Sequence, residues 1–146
     1  MPATSEAADK QNMVGILLVT HGDLGGCMLK VASQILGREF HATGAVTANF
    51  GEDPAAVAKR ARALIGSLDD GQGVLVMSDL FGSTPGNASK TLLADDGVQV
   101  LWGVNMPMLL RALDYRDKGK NLAELAELAF TGCIAGVLKL ETEHAC

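Results

Sequence analysis

The sequence predicts an α/β fold, a doubly wound and mainly parallel sheet with helices on both faces. Two apolar runs, within 14–22 and 73–85, have the length and β-branched content of buried parallel strands. Each run ends in small and polar residues that lead into a helical pattern, and strand and helix alternate four times along the chain. Hydrophobic residues make up 48% of the 146-residue chain and aromatic residues 4%, which favours helices packed on a sheet over an all-β fold.

The first strand is predicted over 14–22 and is followed by a helix that Asp23 can cap and Gly37 ends. The helical period predicts that this helix buries one apolar side, which consists of Leu24, Met28, Val31, Ala32 and Ile35. The second strand is predicted over 43–50, where polar and apolar residues alternate weakly.

The second helix begins at Pro54 after the N-cap residue Asp53. Its buried positions are expected to be Val57, Ala61, Leu64, Ile65 and Leu68. The next elements are a strand over 74–78, a helix over 84–93, a strand over 98–103, a helix from about 105 to 115, and a helix from about 122 to 138. The last helix is expected to bury Leu125, Leu128, Ala129 and Cys133.

One domain is predicted over 13–140, preceded by a loose extension over 1–12 and followed by a tail over 141–146. The net charge of −5 and the scattered basic residues argue against binding to nucleic acid. No apolar run reaches the roughly 20 residues of a membrane span, so we expect a cytoplasmic protein that does not insert into the membrane. The three cysteines, Cys27, Cys133 and Cys146, match neither a disulfide framework nor a zinc site, and we expect no metal. Cys27 and Cys133 fall within helical patterns and are expected to pack inside the protein.

The simplest strand order for such a chain is 2-1-3-4, which leaves a crevice between the carboxyl ends of strands 1 and 3. Thr20, His21 and Gly22 follow strand 1, and Asp79 follows strand 3. A carboxylate that accepts a hydrogen bond from one imidazole nitrogen leaves the other nitrogen as a nucleophile. The sequence therefore predicts that Asp79 orients His21.

The turn Gly82-Ser83-Thr84 opens the third helix beside this pair. Backbone N–H groups and hydroxyls at a helix N-terminus bind anions such as phosphate, so a histidine here suggests phosphoryl transfer. Thr20 and Gly22, on either side of His21, are candidate phosphate-binding residues together with Gly82, Ser83 and Thr84. Other interpretations remain open at this point. A single histidine at a strand end is more often structural than catalytic, Asp79 could cap a turn, and Thr84-Pro85 is also an ordinary helix start.

Three segments, 15–25, 78–89 and 103–110, resemble the enzyme IIA domain of the mannose family of the bacterial phosphoenolpyruvate-dependent sugar phosphotransferase system. The resemblance covers about 14–140. It implies a phosphotransferase in which His21 accepts a phosphoryl group from the phosphohistidine of the carrier protein HPr and passes it to a IIB component. Asp79 would bind Nδ1 of the ring, Nε2 would be phosphorylated, and Ser83 and Thr84 would hold the phosphate.

The resemblance further implies that the phosphoryl group is carried covalently without a cofactor, and that IIA can associate with a membrane IIC/IID complex. It also implies a homodimer in which a strand is exchanged between subunits, near 131–136 in this chain. Family members often have Trp and a Gly-Gly-Ser turn where this chain has Phe81 and Gly82-Ser83-Thr84, so the phosphate-binding hydroxyl could be Ser83 or Thr84.

Two other functions fit the same residues. One is the related phosphocarrier subunit of a dihydroxyacetone kinase, and the other is a non-catalytic regulatory module switched by phosphorylation of His21. Leu80, Phe81 and Met106 are candidates for a partner-docking surface, although each could instead pack inside the protein. The other two histidines, His41 and His144, are expected to be surface residues.

Overall fold

The computed structural model describes residues 13–142. The predicted extension over 1–12 lies outside the described residues, as do His144 and Cys146 in the predicted tail. The described residues form β1 (Gly15–His21), α1 (Leu24–Leu36), β2 (Thr43–Ala48), α2 (Pro54–Leu68), β3 (Val74–Ser78), α3 (Thr84–Thr91), β4 (Val98–Trp102), α4 (Met106–Arg116) and α5 (Leu122–Ala135). A single turn of 3-10 helix, Leu92–Ala94, follows α3.

The four strands are all parallel and lie in the order β2-β1-β3-β4, which confirms the predicted topology. In the register of the sheet, His21 at the end of β1 is opposite Ala48 of β2, and Val19 is opposite Ser78 of β3. The carboxyl ends of β1 and β3 are therefore neighbours, and the residues that follow them share one edge of the sheet.

Side chains of alternate strand residues enter two separate cores because successive strand residues point to opposite faces. On one face, Leu17 and Val19 of β1 pack with α2 and α3, including Val57 and Ala88. On the other face, Ile16 and Leu18 pack with α1, α4 and α5; the buried helical residues there are Ala32, Met108, Leu109, Ala112, Leu113, Leu125, Ala126 and Ala129. Both faces of the sheet are covered by helices, as predicted.

Helix α1 buries only part of the apolar side that its period predicts: Ala32 is buried and Met28 packs against the core, as predicted. Leu24, Val31 and Ile35 are 46%, 41% and 56% exposed. The first turn of α1 meets the sheet through Gly25, where a Cβ would lie only 3.0 Å from the Cβ of Leu18. Because the helix lies so close to the strand at this point, the large apolar side chains of Leu24, Val31 and Ile35 lie at the side of α1 and remain exposed.

Two predicted boundaries are also wrong. Strand β2 ends at Ala48 rather than at residue 50, because the N–H of Glu52 donates to the carbonyl of Asn49 and closes a turn. Helix α5 ends at Ala135 rather than at 138, and residues 136–141 are exposed and not helical. Among residues 13–142, no helix has the length and apolar character needed to cross a bilayer.

Candidate active site

His21 is the last residue of β1, and its side chain is 53% exposed. Its ring nitrogen Nδ1 lies 2.8 Å from Oδ2 of Asp79. Its backbone N–H donates to the same Oδ2 over 3.1 Å. Because a carboxylate only accepts hydrogen bonds, Nδ1 carries the ring proton in this pair, and Nε2 keeps its lone pair.

Asp79 follows β3 directly, and its side chain is only 13% exposed. Its second oxygen, Oδ1, is buried and has no hydrogen-bond partner among residues 13–142. Both of the bonds that hold the carboxylate therefore come from His21, one from the backbone and one from the ring. The backbone bond holds the Asp79 carboxylate at the end of β1, and the contact with Nδ1 fixes the direction of the His21 ring. The sequence predicts that Asp79 orients His21 in this way.

Ser83 is the N-cap of α3, and its hydroxyl is fully used inside the protein. Oγ accepts a hydrogen bond from the N–H of Gly86 over 3.2 Å and donates to the carbonyl of Leu80 over 2.6 Å. Gly82 adopts a left-handed conformation with φ 83°, which a glycine reaches without strain and which turns the chain into the helix. For the Thr84 hydroxyl we find no hydrogen bond within the described part of the chain.

Thr20 and Gly22 are predicted to contact phosphate, but the Thr20 hydroxyl is buried and the Gly22 N–H is already bonded within the protein. The Thr20 side chain is fully buried, and its hydroxyl accepts a hydrogen bond from the N–H of Gly25 over 2.8 Å. The N–H of Gly22 donates to the carbonyl of Ala48 over 3.1 Å. We therefore assign these two residues structural roles: Thr20 anchors the first turn of α1, where the predicted cap Asp23 makes no capping bond, and Gly22 ties β1 to β2.

The predicted docking residues differ in their exposure. Leu80 and Phe81 are 59% and 63% exposed, whereas Met106 is half-buried and packs against the core under α4. The Phe81 ring meets the Trp102 ring edge-on, with centroids 5.3 Å apart. The indole N–H of Trp102 donates to the carbonyl of Gly86 over 3.1 Å.

Trp102 was not singled out in the sequence, although it ends β4 at the same sheet edge as the site. The signal that could have found it is its position after the fourth apolar run. Trp102 contacts both the first turn of α3 and the ring of Phe81. These two contacts help to fix the loop between Asp79 and α3. Phe50, in the loop after β2, was also missed and is fully exposed.

Among residues 13–142, no three side chains of His, Cys, Asp or Glu are grouped as metal ligands would be. Cys27 was expected to pack inside but is exposed on α1, one turn after Asp23. Its thiol donates to the Asp23 carboxylate, and this hydrogen bond raises the pKa of the thiol. Cys133 is partly buried against the core, as predicted.

Comparison with known proteins finds relatives among the IIA components of the phosphotransferase system. A family model described as PTS system fructose IIA component, EIIA-man, matches residues 15–130. The mannose-specific EIIAB component of Escherichia coli strain K12 is 31% identical over 131 residues, which cover 89% of this chain and 40% of that protein. The fructose-specific EIIA component of Bacillus subtilis strain 168 is 27% identical over 139 residues, which cover 90% of this chain and 94% of that protein.

Solved structures agree with the sequence matches. The phosphotransferase system component EIIA from Streptococcus agalactiae superposes with a TM-score of 0.78 at 25% identity, covering 87% of this chain and 97% of that one. The mannose/sorbose-specific IIA subunit from Enterococcus faecalis, at 20% identity and a TM-score of 0.78, covers 88% of this chain and 96% of that one and shares the fold. The chain therefore belongs to the EIIA-man family of phosphotransferase-system IIA components.

Proposed function

We propose that this protein is a histidine phosphocarrier of the sugar phosphotransferase system. It accepts a phosphoryl group from phospho-HPr on Nε2 of His21 and passes it to a IIB component. The observation that carries the proposal is the 2.8 Å contact between Nδ1 of His21 and Oδ2 of Asp79, made by an exposed imidazole at the switch point of the sheet. Family membership supports the same assignment.

The chemistry is a displacement at phosphorus. The Nε2 lone pair attacks the phosphorus of the donor phosphohistidine, the bond from phosphorus to the donor nitrogen breaks, and its electron pair returns to the donor ring. The His21 ring gains positive character as the new bond forms, and the Asp79 carboxylate stabilises that charge through the proton on Nδ1. Transfer to the acceptor is the same step with His21 as the leaving group, so no metal, nucleotide or other cofactor is needed.

Thr84, rather than Ser83, is the better candidate for the hydroxyl that contacts phosphate. The hydrogen of the Ser83 hydroxyl is donated to the Leu80 carbonyl, so it is not available to an anion. At the start of α3, Pro85 has no N–H and the N–H of Gly86 is bonded to Ser83, which leaves the N–H and hydroxyl of Thr84 as donors. The positive end of the α3 dipole adds to their attraction for phosphate.

The exposed pair Leu80 and Phe81 is our candidate docking surface for HPr and IIB, because it lies in the loop that joins Asp79 to α3. Both partners must reach the same His21, so they use this edge of the sheet in turn. Met106, which is half-buried, is proposed only as a support for that surface. The protein acts in the cytoplasm in this scheme and can work beside a membrane IIC/IID complex.

We also propose a homodimer in which the residues after α5 are exchanged. The segment predicted for this exchange, 131–136, lies almost entirely within α5, so the proposal moves to the residues that follow it. Val137, Leu138 and Leu140 are 74%, 79% and 66% exposed, and β4 is an edge strand of the sheet. An apolar segment and an unpaired edge of this kind are complementary when two copies meet. Replacing Leu138 by Asp should shift the sedimentation coefficient from that of a dimer to that of a monomer, and an unchanged dimer would exclude this segment as the contact.

The deciding experiment is incubation of the protein with phosphoenolpyruvate, enzyme I and HPr, followed by intact mass measurement before and after mild acid. The wild type should gain one acid-labile phosphoryl group. His21→Ala should gain none, and the control His41→Ala, which replaces an exposed histidine in the loop before β2, should behave as the wild type. A wild type without phosphate, or a phosphorylated His21→Ala, would contradict the proposal.

A further inference from the structure

Trp102, the only tryptophan of the chain, is the last residue of β4 and packs half-buried against the core that α2 and α3 cover. In the register of the sheet it is opposite Ser78 of β3, and Ser78 is opposite Val19 of β1. Ser78 comes directly before Asp79, and Val19 comes two residues before His21. Trp102 therefore ends its strand in the same row of the sheet as the residues that lead into the candidate active site.

The indole N–H of Trp102 donates to the carbonyl of Gly86, in the first turn of α3, over 3.1 Å. Inside an α-helix a carbonyl accepts from the N–H four residues later, which for Gly86 is the N–H of Lys90. The indole bond is thus a second bond to this carbonyl, which is satisfied without it. Its effect is to tie the first turn of α3 to the end of β4.

The same turn of α3 packs directly on the loop after β3. A Cβ at Gly86 would lie 2.2 Å from the carbonyl oxygen of Leu80, so the helix can approach this loop so closely only through a glycine. The Ser83 hydroxyl joins the two, because it donates to the Leu80 carbonyl and accepts from the N–H of Gly86. A chain of hydrogen bonds therefore runs from Leu80 through Ser83 and Gly86 to Trp102. Thr84 lies within this chain, and its N–H and hydroxyl have no partner among residues 13–142.

We propose that Trp102 is a positioning residue for phosphoryl transfer. Through the Gly86 carbonyl it holds the first turn of α3, so that the N–H and hydroxyl of Thr84 meet the phosphoryl group on His21. This inference rests on the proposed function. Donors stabilise the charge of a transition state only when they are fixed before the reaction, and a misplacement of about 1 Å costs about 100-fold in rate. A bond that the carbonyl does not need for its own satisfaction supplies this kind of fixation.

The test is single-turnover phosphorylation of wild type and Trp102→Phe by rapid quench, over a range of phospho-HPr concentrations. Phenylalanine keeps an aromatic ring beside Phe81 and removes the N–H. The maximal rate should fall about tenfold, because the donors of Thr84 are no longer held in place. The half-saturating concentration of phospho-HPr should stay within about twofold, because the exposed surface is unchanged. Since Trp102 is the only tryptophan, biosynthetic replacement of its indole by benzothiophene removes the N–H alone and should give the same result.

The matched control is Arg62→Gln, which loosens the other end of α3. Arg62 donates to the Asp95 carboxylate and to the carbonyl of Thr91, the last residue of α3. Arg62→Gln should lower the urea midpoint but leave the maximal rate within about twofold of wild type, which separates positioning from a general loss of stability.

A double-mutant cycle tests whether Trp102 acts through Thr84. In the Thr84→Val protein, the further change Trp102→Phe should slow phosphorylation by less than about threefold, because only the N–H of that residue remains to be positioned. A tenfold slowing in both backgrounds would show that Trp102 acts on another group, and would overturn the inference.

Each remaining outcome also overturns the inference. If the wild type is phosphorylated and both replacements at Trp102 react at its rate, positioning is excluded and the proposed function stands. Equal slowing by Arg62→Gln would give Trp102 a structural role alone. A change confined to the half-saturating concentration would make Trp102 a support for partner binding. If the wild type gains no phosphate from phospho-HPr, the proposed function and the positioning role fall together.

Discussion

The bond between Asp79 and His21 gives the sharpest prediction, the effect of Asp79→Asn on the rate of phosphorylation. Asparagine keeps the size of the side chain and an oxygen that can accept from Nδ1 of His21, but it removes the negative charge. In the wild type, that charge lies 2.8 Å from Nδ1, on a carboxylate that is mostly shielded from water. The substitution therefore tests electrostatic stabilisation of the ring and leaves the geometry of the site nearly intact.

The size of the effect follows from the bonds that change. A hydrogen bond to a charged group contributes about 1.5–3 kcal/mol, and the positive character of the ring is greatest when the bond to phosphorus forms. Loss of about 2 kcal/mol in the transition state corresponds to a rate about 30-fold lower. The assay is single-turnover phosphorylation at saturating phospho-HPr, with the phosphorylated and free forms separated on a phosphate-affinity gel.

The control is Asp23→Asn, which removes an exposed carboxylate two residues from His21 that makes no bond to the ring. It should leave the rate within about twofold of wild type. Circular dichroism and a thermal melt establish that both variants are folded. If Asp79→Asn transfers phosphate at the wild-type rate, or if Asp23→Asn is slowed equally, the charge of Asp79 does not assist the reaction in the way argued above.

The other predictions concern the cap, an ion pair and two glycines. Ser83→Ala removes the α3 cap and should lower the free energy of unfolding, measured by urea denaturation, by about 1 kcal/mol. Thr84→Val should change that free energy by less than about 0.5 kcal/mol but should slow phosphorylation. Equal effects of the two substitutions on stability would contradict a capping role for Ser83 alone. The pKa of Glu52 is lowered to about 2 from 4.5, so its contribution to stability is complete above about pH 4.5 and is lost as the pH falls towards 2. The urea midpoint of the wild type should therefore exceed that of Glu52→Gln at pH 7, and the difference should shrink across that window; a difference that persists at pH 2 would be evidence against the pair. Gly136→Ala would place a Cβ 2.3 Å from a proline ring of α4 and should lower the free energy of unfolding by about 1–3 kcal/mol. Gly66→Ala, which has open space in the middle of α2, should raise the free energy of unfolding by about 0.5–1 kcal/mol. Thermal melts of the two variants, compared with the wild type, measure both effects.

The fold and the central pair of the site could be read from the sequence because the signals are local. Alternating strands and helices predict a parallel sheet, and right-handed crossovers leave few orders for four strands. Once the order is 2-1-3-4, the residues after strands 1 and 3 must be neighbours. This is why the sequence predicts the contact between His21 and Asp79, which are 58 positions apart.

The sequence did not predict the role of Thr20 or the exposure of the large apolar residues of α1. Both depend on how closely α1 packs against β1. In the sequence, a threonine next to a candidate catalytic histidine suggests a ligand-binding residue. The hydroxyl of Thr20 is instead buried under α1, because Gly25 lets that helix pack close to the strand. The same close approach moves Leu24 and Ile35 out of the core, against the helical period. Neither outcome is visible in a periodic pattern.

The sequence by itself determined the fold class, the strand order and the pairing of His21 with Asp79. Only the tertiary structure decided which hydroxyl at the start of α3 is free to bind an anion, and that Phe50 stands exposed beside the site. The physical reason is that strand order follows from local patterns and chain connectivity. The availability of a hydroxyl or an aromatic ring depends instead on which neighbours, far apart in the chain, have already bonded or covered it.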